Sequence, residues 1–304
     1  MNEIHMPGLD GTNPLGFLAG LGVLNAVSDQ RGGDPRPALS WVQAGSWMPV
    51  LHAGLDEGEL LEALWADLRG WDREPVLDLK YGEDGASVRD LKPPPAVFRA
   101  FLQDLIVSAT PEERRGVDVA ASWATEVAVD NKGNTKPTAL HFTAGQQKFL
   151  EMVRTLRDEV TRDDLHEALV GPWSYSRALP VLQWDCTMFR DYALRADDPS
   201  GAKKLGVPGA DWLAFRGLPF IRVAPMGKRA MTTGCVGEWK TGSFHWPLWT
   251  HPIERPTVHT VLQLRLAEIT DAERLARGIS MVFRCAIKRA DPGGRGSFAP
   301  AAVI

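Results

Sequence analysis

An apolar segment at residues 14–27 constrains the fold most, because it combines helix signals with three glycines. Asn13 is a residue type that caps helix N-termini, and Pro14 suits the first helical position, where its missing N–H has no partner to lose. We therefore predict that a helix fills this segment. Gly16 and Gly20 share one helix face, where another backbone can approach closely. Tight packing against a sheet or helix is the favoured explanation, and approach of a nucleic-acid backbone is the alternative.

The same segment is shorter than the roughly 20 residues that a membrane-spanning helix needs. It also lacks the basic flank of a signal peptide, since Glu3 and Asp10 precede it. These features predict a soluble, cytoplasmic protein without a membrane partner.

Charge is distributed unevenly along the chain. Residues 1–172 carry 16 basic and 27 acidic groups, whereas residues 173–249 carry ten basic and six acidic groups. The second stretch also contains six of the eleven tryptophans. We expect one acidic surface and one basic, aromatic-rich surface, which suits a subunit that holds a nucleic-acid backbone on one side and a protein partner on the other.

Hydrophobic periodicity and turn residues predict the remaining elements. Longer helices are predicted at residues 57–69, 96–107 and 145–160, the last opened by a capping-box spacing at Thr143 and Gln146. The same spacing predicts two short helices at Thr161/Asp164 and Thr270/Glu273. Strands are predicted at residues 38–42, 75–80, 126–129, 218–224 and 281–288, with an edge strand in the tail 298–304. Residues 258–266 fit either a strand or a helix.

The pattern of the sequence changes after Pro172: short segments interrupted by Gly and Pro replace the longer predicted helices. We predict an α+β fold with mixed sheet elements, packed helices, an N-terminal glycine-rich helix and a loop-rich C-terminal half. The change predicts an acidic α+β region at 1–170 and a basic, Trp-rich α+β region at 171–304. One continuous domain is the alternative.

The common signatures of enzymes are absent from the sequence. It contains no phosphate-binding loop, nucleophile elbow or zinc-hydrolase motif. Cys186, Cys235 and Cys285 lack the spacing of a metal site, which favours reduced, buried thiols. We therefore predict a non-enzymatic protein without a cofactor.

Two groups of residues allow a metal-site interpretation. The first is a set of three histidines, His245, His251 and His259, whose spacing matches neither a helix face nor a zinc finger. The second is a set of four aspartates that could bind metal ions in a nuclease, Asp185, Asp191, Asp197 and Asp198. Arginines are interleaved with these aspartates, so local ion pairs are favoured and the nuclease is the alternative.

Basic residues around the Gly-containing loops of the second stretch are the strongest functional candidates. Mobile cations and backbone N–H groups suit contact with phosphate, and aromatic rings beside them can stack on exposed bases. Solvated loops and core tryptophans would explain the same residues. The predicted nucleic-acid-binding residues are Arg177, Arg190, Lys203, Lys204, Arg222, Lys228 and Arg229.

Several segments of the chain resemble proteins of type I CRISPR–Cas systems. Residues 9–24 read LDGTNPLGFLAGLGVL and are similar to the opening of effector subunits of the I-U/I-G branch. Other similar segments are residues 140–150, 190–195, 198–200 and 244–249. The resemblance covers short segments and includes no catalytic signature.

This resemblance implies a non-catalytic subunit of the large-subunit type in a Cascade surveillance complex. Such a subunit helps to recognise the motif that flanks the target and stabilises the unwound DNA. Its partners would be the other effector subunits, the guide RNA and the target DNA. Subunits of this kind are often considerably longer than this chain of 304 residues. A metal-dependent nuclease and a protein-only scaffold are the alternative functions.

Overall fold

The computed structural model describes residues 2–31, 35–81, 86–111, 113–143, 145–188, 205–289 and 295–304. The α-helices of these residues are α1 (Pro14–Gln30), α2 (Glu57–Arg69), α3 (Pro95–Ser108), α4 (Arg115–Ala120), α5 (Phe149–Glu159), α6 (Arg162–Val170), α7 (Pro208–Gly217), α8 (Arg255–Leu262) and α9 (Asp271–Ala276). The strands are β1 (Glu3–His5), β2 (Ala38–Ala44), β3 (Ser46–His52), β4 (Lys80–Tyr81), β5 (Ala86–Ser87), β6 (Ala124–Val129), β7 (Thr135–Pro137), β8 (Val223–Met226), β9 (Arg229–Thr232), β10 (Cys235–Val236), β11 (Ser243–Trp249), β12 (Ile253–Glu254), β13 (Ile279–Arg289), β14 (Gly296–Phe298) and β15 (Ala302–Val303).

Two sheets and three hairpins organise these strands. The first sheet has the order β1–β3–β2–β12, and the second has the order β10–β11–β13–β14, with β15 also paired to β13. The hairpins are β4–β5, β6–β7 and β8–β9. The pairings among the described residues are antiparallel. Helices and antiparallel sheets that occupy separate parts of the molecule confirm the α+β fold class.

Helix α1 begins where its sequence signals predict. The Asn13 side chain caps it by accepting a hydrogen bond from the Leu15 N–H at 3.2 Å. The helix is buried on all sides from its first residue to position 27, as in a helix at the centre of a core. A methyl group at Gly16 would overlap the backbone of Asp10, and one at Gly20 would press on the Trp41 ring. These contacts confirm that the glycines serve close packing.

Elements from both sides of residue 170 share one hydrophobic core. Helix α1 packs along α7, and β2 of the first sheet pairs with β12 from the C-terminal part. Two buried indoles add hydrogen bonds between the same parts. Trp246 Nε1 donates to the Gly11 carbonyl at 2.8 Å, and Trp249 Nε1 donates to the Leu39 carbonyl at 2.7 Å.

Several predicted elements are confirmed. Helix α2 has the predicted bounds, and α3 extends the prediction by one residue at each end. Capping boxes open α6 at Thr161 and α9 at Thr270. Strand β13 covers the predicted segment, and the tail pairs with it through β14 and β15. Residues 258–262 of the ambiguous segment are helical and belong to α8.

Three predictions at the element level are wrong in whole or in part, since only residue 80 of the predicted strand 75–80 and residues 223–224 of the predicted strand 218–224 are in strands. Residues Pro75–Asp78 and Leu218–Phe220 form short 3₁₀ turns rather than strands, because each has a proline near its first helical position that fixes a helix-compatible φ. Helix α5 begins at Phe149 without a side-chain cap. The Thr143 hydroxyl, which was expected to cap it, instead lies 2.8 Å from Nε2 of His141. In the described part of the chain, none of the helices is both long enough and apolar enough to span a bilayer.

Candidate nucleic-acid interface

A cleft of about 680 Å³ lies between hairpins β6–β7 and β8–β9, with β10 and the following turn as its third wall. The two hairpins are fastened to each other. The Thr232 hydroxyl accepts the Ala139 N–H at 2.7 Å, and Nζ of Lys136 donates to the Lys228 carbonyl at 2.7 Å. The walls of the cleft are therefore held by hydrogen bonds between segments that are distant in sequence.

Both hairpins reach the cleft through turns that need glycine. Gly133 has a φ of +79° and Gly227 a φ of +59°, a backbone region that other residue types rarely adopt. Lys132 precedes Gly133, and Lys228 follows Gly227. Both lysines are exposed at the turns. Arg229 begins β9 and lines the cleft. The glycines of these turns thus present cations at the mouth of the cleft.

The lining of the cleft carries an excess of positive charge. Its cations are Lys92, Lys132, Lys136 and Arg229, and its acids are Asp130 and Glu238. The Asp130 carboxylate already accepts backbone N–H groups of Lys132 and Asn134 at 2.8 and 3.0 Å. Within the described part of the chain, none of the four cations is ion-paired with a carboxylate. The cleft is therefore suited to an anionic ligand that several separate cations contact.

Trp239 and Arg289 form a stacked pair at the third wall. Trp239 lines the cleft and is 44% exposed, and the guanidinium carbon of Arg289 lies 3.6 Å from its ring centroid. Arg289 donates to the carbonyl oxygens of Trp239, His141 and Ala139 at 3.0, 2.8 and 2.7 Å. Burial lowers the pKa of Arg289 to about 10, so this residue stays charged at neutral pH. A fixed cation therefore covers one face of an exposed indole.

The thiol in the cleft wall is not an activated nucleophile. Desolvation raises the pKa of Cys235 to about 12, which keeps the thiol protonated at neutral pH. The other two cysteines, Cys186 and Cys285, are buried. The three cysteines are free, and two of them are buried as the sequence predicts.

Only part of the predicted nucleic-acid-binding set can be placed. Arg229 lines the cleft, and Lys228 is its neighbour at the hairpin turn. Arg177 lies 3.4 Å from Asp164, and Arg222 lies 3.6 Å from Asp118. Those two arginines are paired with carboxylates and do not line the cleft. The remaining predicted residues, Arg190, Lys203 and Lys204, lie outside the described residues.

Sequence reasoning missed most of the cleft. Lys92, Lys132 and Lys136 belong to the acidic N-terminal region, where the charge balance gives no reason to select them. Residues 130–133 read Asp-Asn-Lys-Gly, which is typical of a turn, and the lysine in this turn sequence was the available signal. Trp239 lies within the Trp-rich stretch, but its sequence neighbours do not distinguish it from core tryptophans.

The aspartate cluster proposed for a nuclease is represented here by Asp185 alone. This residue is buried, and its Oδ1 accepts the Asn13 side-chain amide and both the N–H and the hydroxyl of Thr187 at 2.7 to 2.9 Å. Its Oδ2 accepts the Tyr175 hydroxyl at 2.8 Å. Asp185 thus joins Asn13, Tyr175 and Thr187 through four hydrogen bonds. The other candidates, Asp191, Asp197 and Asp198, lie outside the described residues.

The three histidines considered as metal ligands are not brought together. His245 lies on β11 with its Nε2 2.7 Å from the Ser243 hydroxyl, and His259 lies on α8 beside Phe220. Burial lowers the pKa of His259 to about 4. Among the described residues, no group of three or more His, Cys, Asp or Glu side chains is placed to hold a metal ion.

Asp90, His141 and Thr143 form a largely buried cluster that resembles a catalytic triad only in composition. Nε2 of His141 lies 2.7 Å from the Asp90 carboxylate and 2.8 Å from the Thr143 hydroxyl. Burial alone would raise the pKa of Asp90, but the hydrogen bond and electrostatic interaction with His141, together with the backbone N–H groups of Phe149 and Leu91, outweigh it and lower the pKa to about 2. A proton relay needs the acid and the nucleophile on opposite ring nitrogens, and here both contact the same one. The cluster therefore has no relay geometry.

Comparison of the chain with protein-family models, curated proteins and solved structures gives no match.

Proposed function

We propose that this chain is a non-catalytic nucleic-acid-binding subunit of a CRISPR surveillance complex, and that it holds a phosphate backbone in the basic cleft. Four cations converge on one cleft of about 680 Å³ from three separate stretches of sequence, and this observation carries the proposal. Lysine and arginine side chains without carboxylate partners are what a polyanion requires, since each can replace a condensed counterion.

The cellular setting of the proposal rests on the resemblance of residues 9–24, 140–150 and 244–249 to type I effector subunits. In such a complex the guide RNA and target DNA supply the polyanion, and the other effector subunits cover further surface. The protein would then act in the cytoplasm, where foreign DNA is surveyed. Purification of the tagged protein from its own host should recover a short guide RNA and companion subunits.

The cleft is tested by a variant in which all four lining cations are replaced, K92A/K132A/K136A/R229A. Loss of each phosphate contact should reduce the magnitude of the slope of log K against log salt by about 0.7 for a single strand or 0.9 for a duplex, so the magnitude should fall by about 3 to 4 units in total. Binding of labelled oligonucleotides is measured by fluorescence anisotropy over a range of salt concentrations.

The matched control removes four exposed cations that do not line the cleft, R36A/R99A/R265A/R277A, and so makes the same change in net charge. It should keep most of the wild-type salt slope. If the cleft variant is folded and binds with the wild-type slope, the cleft is not the phosphate site. If neither the free chain nor the assembled complex crosslinks to guide or target through this subunit, the protein-only scaffold replaces the proposal.

A further inference from the structure

Trp239 differs from the other tryptophans of the chain in its environment. Of the eleven tryptophans, eight are buried and two are partly buried, whereas Trp239 is 44% exposed. Most of the tryptophans in the Trp-rich stretch therefore pack in the core, but this one presents its ring to the cleft. An exposed aromatic ring in a cleft that also carries cations is a feature of sites that bind single-stranded nucleic acid.

Hydrogen bonds hold the turn that carries Trp239 in one conformation. Gly237 has a φ of +93°, and the Thr241 N–H donates to the Glu238 carbonyl at 3.2 Å to close the turn. A guanidinium nitrogen of Arg229 donates to the Gly237 carbonyl at 3.1 Å. Arg289 stacks on one face of the Trp239 ring and donates hydrogen bonds to three carbonyl oxygens, which holds the ring in place. The indole is thus pre-organised, which reduces the entropy lost on binding.

Arg229, the cation proposed to bind phosphate, and the exposed ring of Trp239 lie on connected parts of the same wall. Arg229 uses one of its five N–H donors on the Gly237 carbonyl, which leaves others for a ligand. Lys136 lies on the facing hairpin and also lines the cleft. A nucleotide could therefore place its phosphate between these cations while its base lies against the indole.

We infer that Trp239 is a stacking platform for an unpaired base, so that the cleft takes single-stranded rather than duplex nucleic acid. The inference rests on the proposed function, because it assigns the class of nucleic acid to the same cleft. The volume of the cleft is in the range of about 300–1,000 Å³ that pockets for small ligands have, which admits an unpaired base beside the backbone. In a duplex each base is already stacked on both faces, so a ring inside a cleft cannot reach one without unstacking it.

The experiment compares W239A and W239F with the wild type on three probes. The probes are single-stranded oligo-dT, a backbone of the same length that consists of abasic sites, and a duplex. W239A should bind oligo-dT roughly five- to 150-fold more weakly than the wild type, as expected for one lost stacking contact, with an unchanged salt slope. W239F should recover most of the affinity. The abasic strand should bind the wild type and W239A equally.

The abasic probe separates stacking from a structural role for Trp239. If W239A only loosened the turn, it would lose affinity for the abasic strand as well, and the inference would be wrong. Wild-type affinity of W239A for oligo-dT, or tighter binding of the duplex than of the strand, would also overturn it. In either case the four-cation variant still decides the proposed function. Absence of any salt-sensitive binding by the wild type would reject both.

Discussion

Asp211 and Arg216 lie on the same helix, α7, and are both fully buried, but their side chains differ in the partners that they contact. Arg216 forms ion pairs at 2.8 Å with Asp67 and with Asp29, and it stacks on the Trp71 ring at 4.7 Å. Asp211 accepts only the Leu182 N–H through Oδ1, and its Oδ2 has no hydrogen-bond partner among the described residues. Burial raises the pKa of Asp211 to about 8, so this carboxyl is protonated at neutral pH.

The D211N variant should change how stability depends on pH. Folded Asp211 keeps its proton up to about pH 8, whereas in the unfolded chain an aspartate ionises at about pH 4. Between these values Asp211 binds fewer protons in the unfolded state, so its contribution to wild-type stability falls as the pH rises, by up to about 1.4 kcal/mol per pH unit. Asparagine does not titrate and should lack this loss. Urea unfolding between about pH 5 and pH 8 measures the difference.

The exposed Asp104 offers the control for that experiment. D104N should follow the wild-type pH dependence. If the stabilities of D211N and of the wild type change in parallel as the pH rises, then Asp211 is ionised in the folded protein.

At the level of elements, the contact between α1 and α7 sets the geometry of the core. A methyl group at Gly22 would overlap the Leu213 carbonyl, and one at Gly217 would overlap the Leu18 carbonyl. Each helix therefore offers a glycine where the backbone of the other comes closest. This reciprocal contact lets the two helices approach more closely than side chains would permit.

The G22A variant should lose stability even though alanine favours helix formation. The gain in helix propensity is about 1 kcal/mol, and the overlap with a backbone carbonyl requires the helices to separate, so a net loss of about 2 kcal/mol or more is expected. Chemical denaturation of purified protein measures the free energy of unfolding. G58A, at an exposed position of α2, should leave stability unchanged or raise it slightly. Equal effects of the two substitutions would show that the helices can move apart without cost.

On the scale of the whole molecule, the acidic and basic regions of the sequence are joined through common structure. Phe17 of α1 packs against Phe244 and Trp246 of β11, with ring centroids 6.4 and 6.0 Å away. The basic cleft also takes lysines from the acidic region and an arginine and a tryptophan from the basic one. Neither region forms the core or the cleft by itself.

A fragment of residues 1–170 should therefore fail to fold on its own. It would lack α7, β11 and β12 and would expose the buried faces of α1 and the first sheet. Thermal melts of the fragment by far-UV circular dichroism should show no cooperative transition. For the full chain, the urea curves from fluorescence and circular dichroism should coincide. A cooperative melt of the fragment, or two separate transitions in the full chain, would instead establish two domains.

Local signals explain which elements were predictable. The capping boxes at Thr161 and Thr270, the amphipathic stripe of α2 and the alternation of β13 depend on neighbours within a few residues, so the sequence contains the whole cause. The 3₁₀ turns at Pro75–Asp78 and Leu218–Phe220 were missed because a short apolar run does not distinguish a strand from a turn of helix. Thr143 does not cap α5, because its hydroxyl contacts His141 and Asp90 instead. The contact with Asp90 arises only in the tertiary structure.

The sequence by itself determined the fold class, the central glycine-rich helix and the presence of cations and aromatic rings suited to nucleic acid. Only the tertiary structure decided which of them meet. Lys92, Lys136 and Arg229 are separated by up to 137 positions along the chain and line one cleft. The reason is physical: residue type and spacing govern local conformation, whereas the convergence of charges and the exposure of one ring at Trp239 depend on how separate hairpins pack.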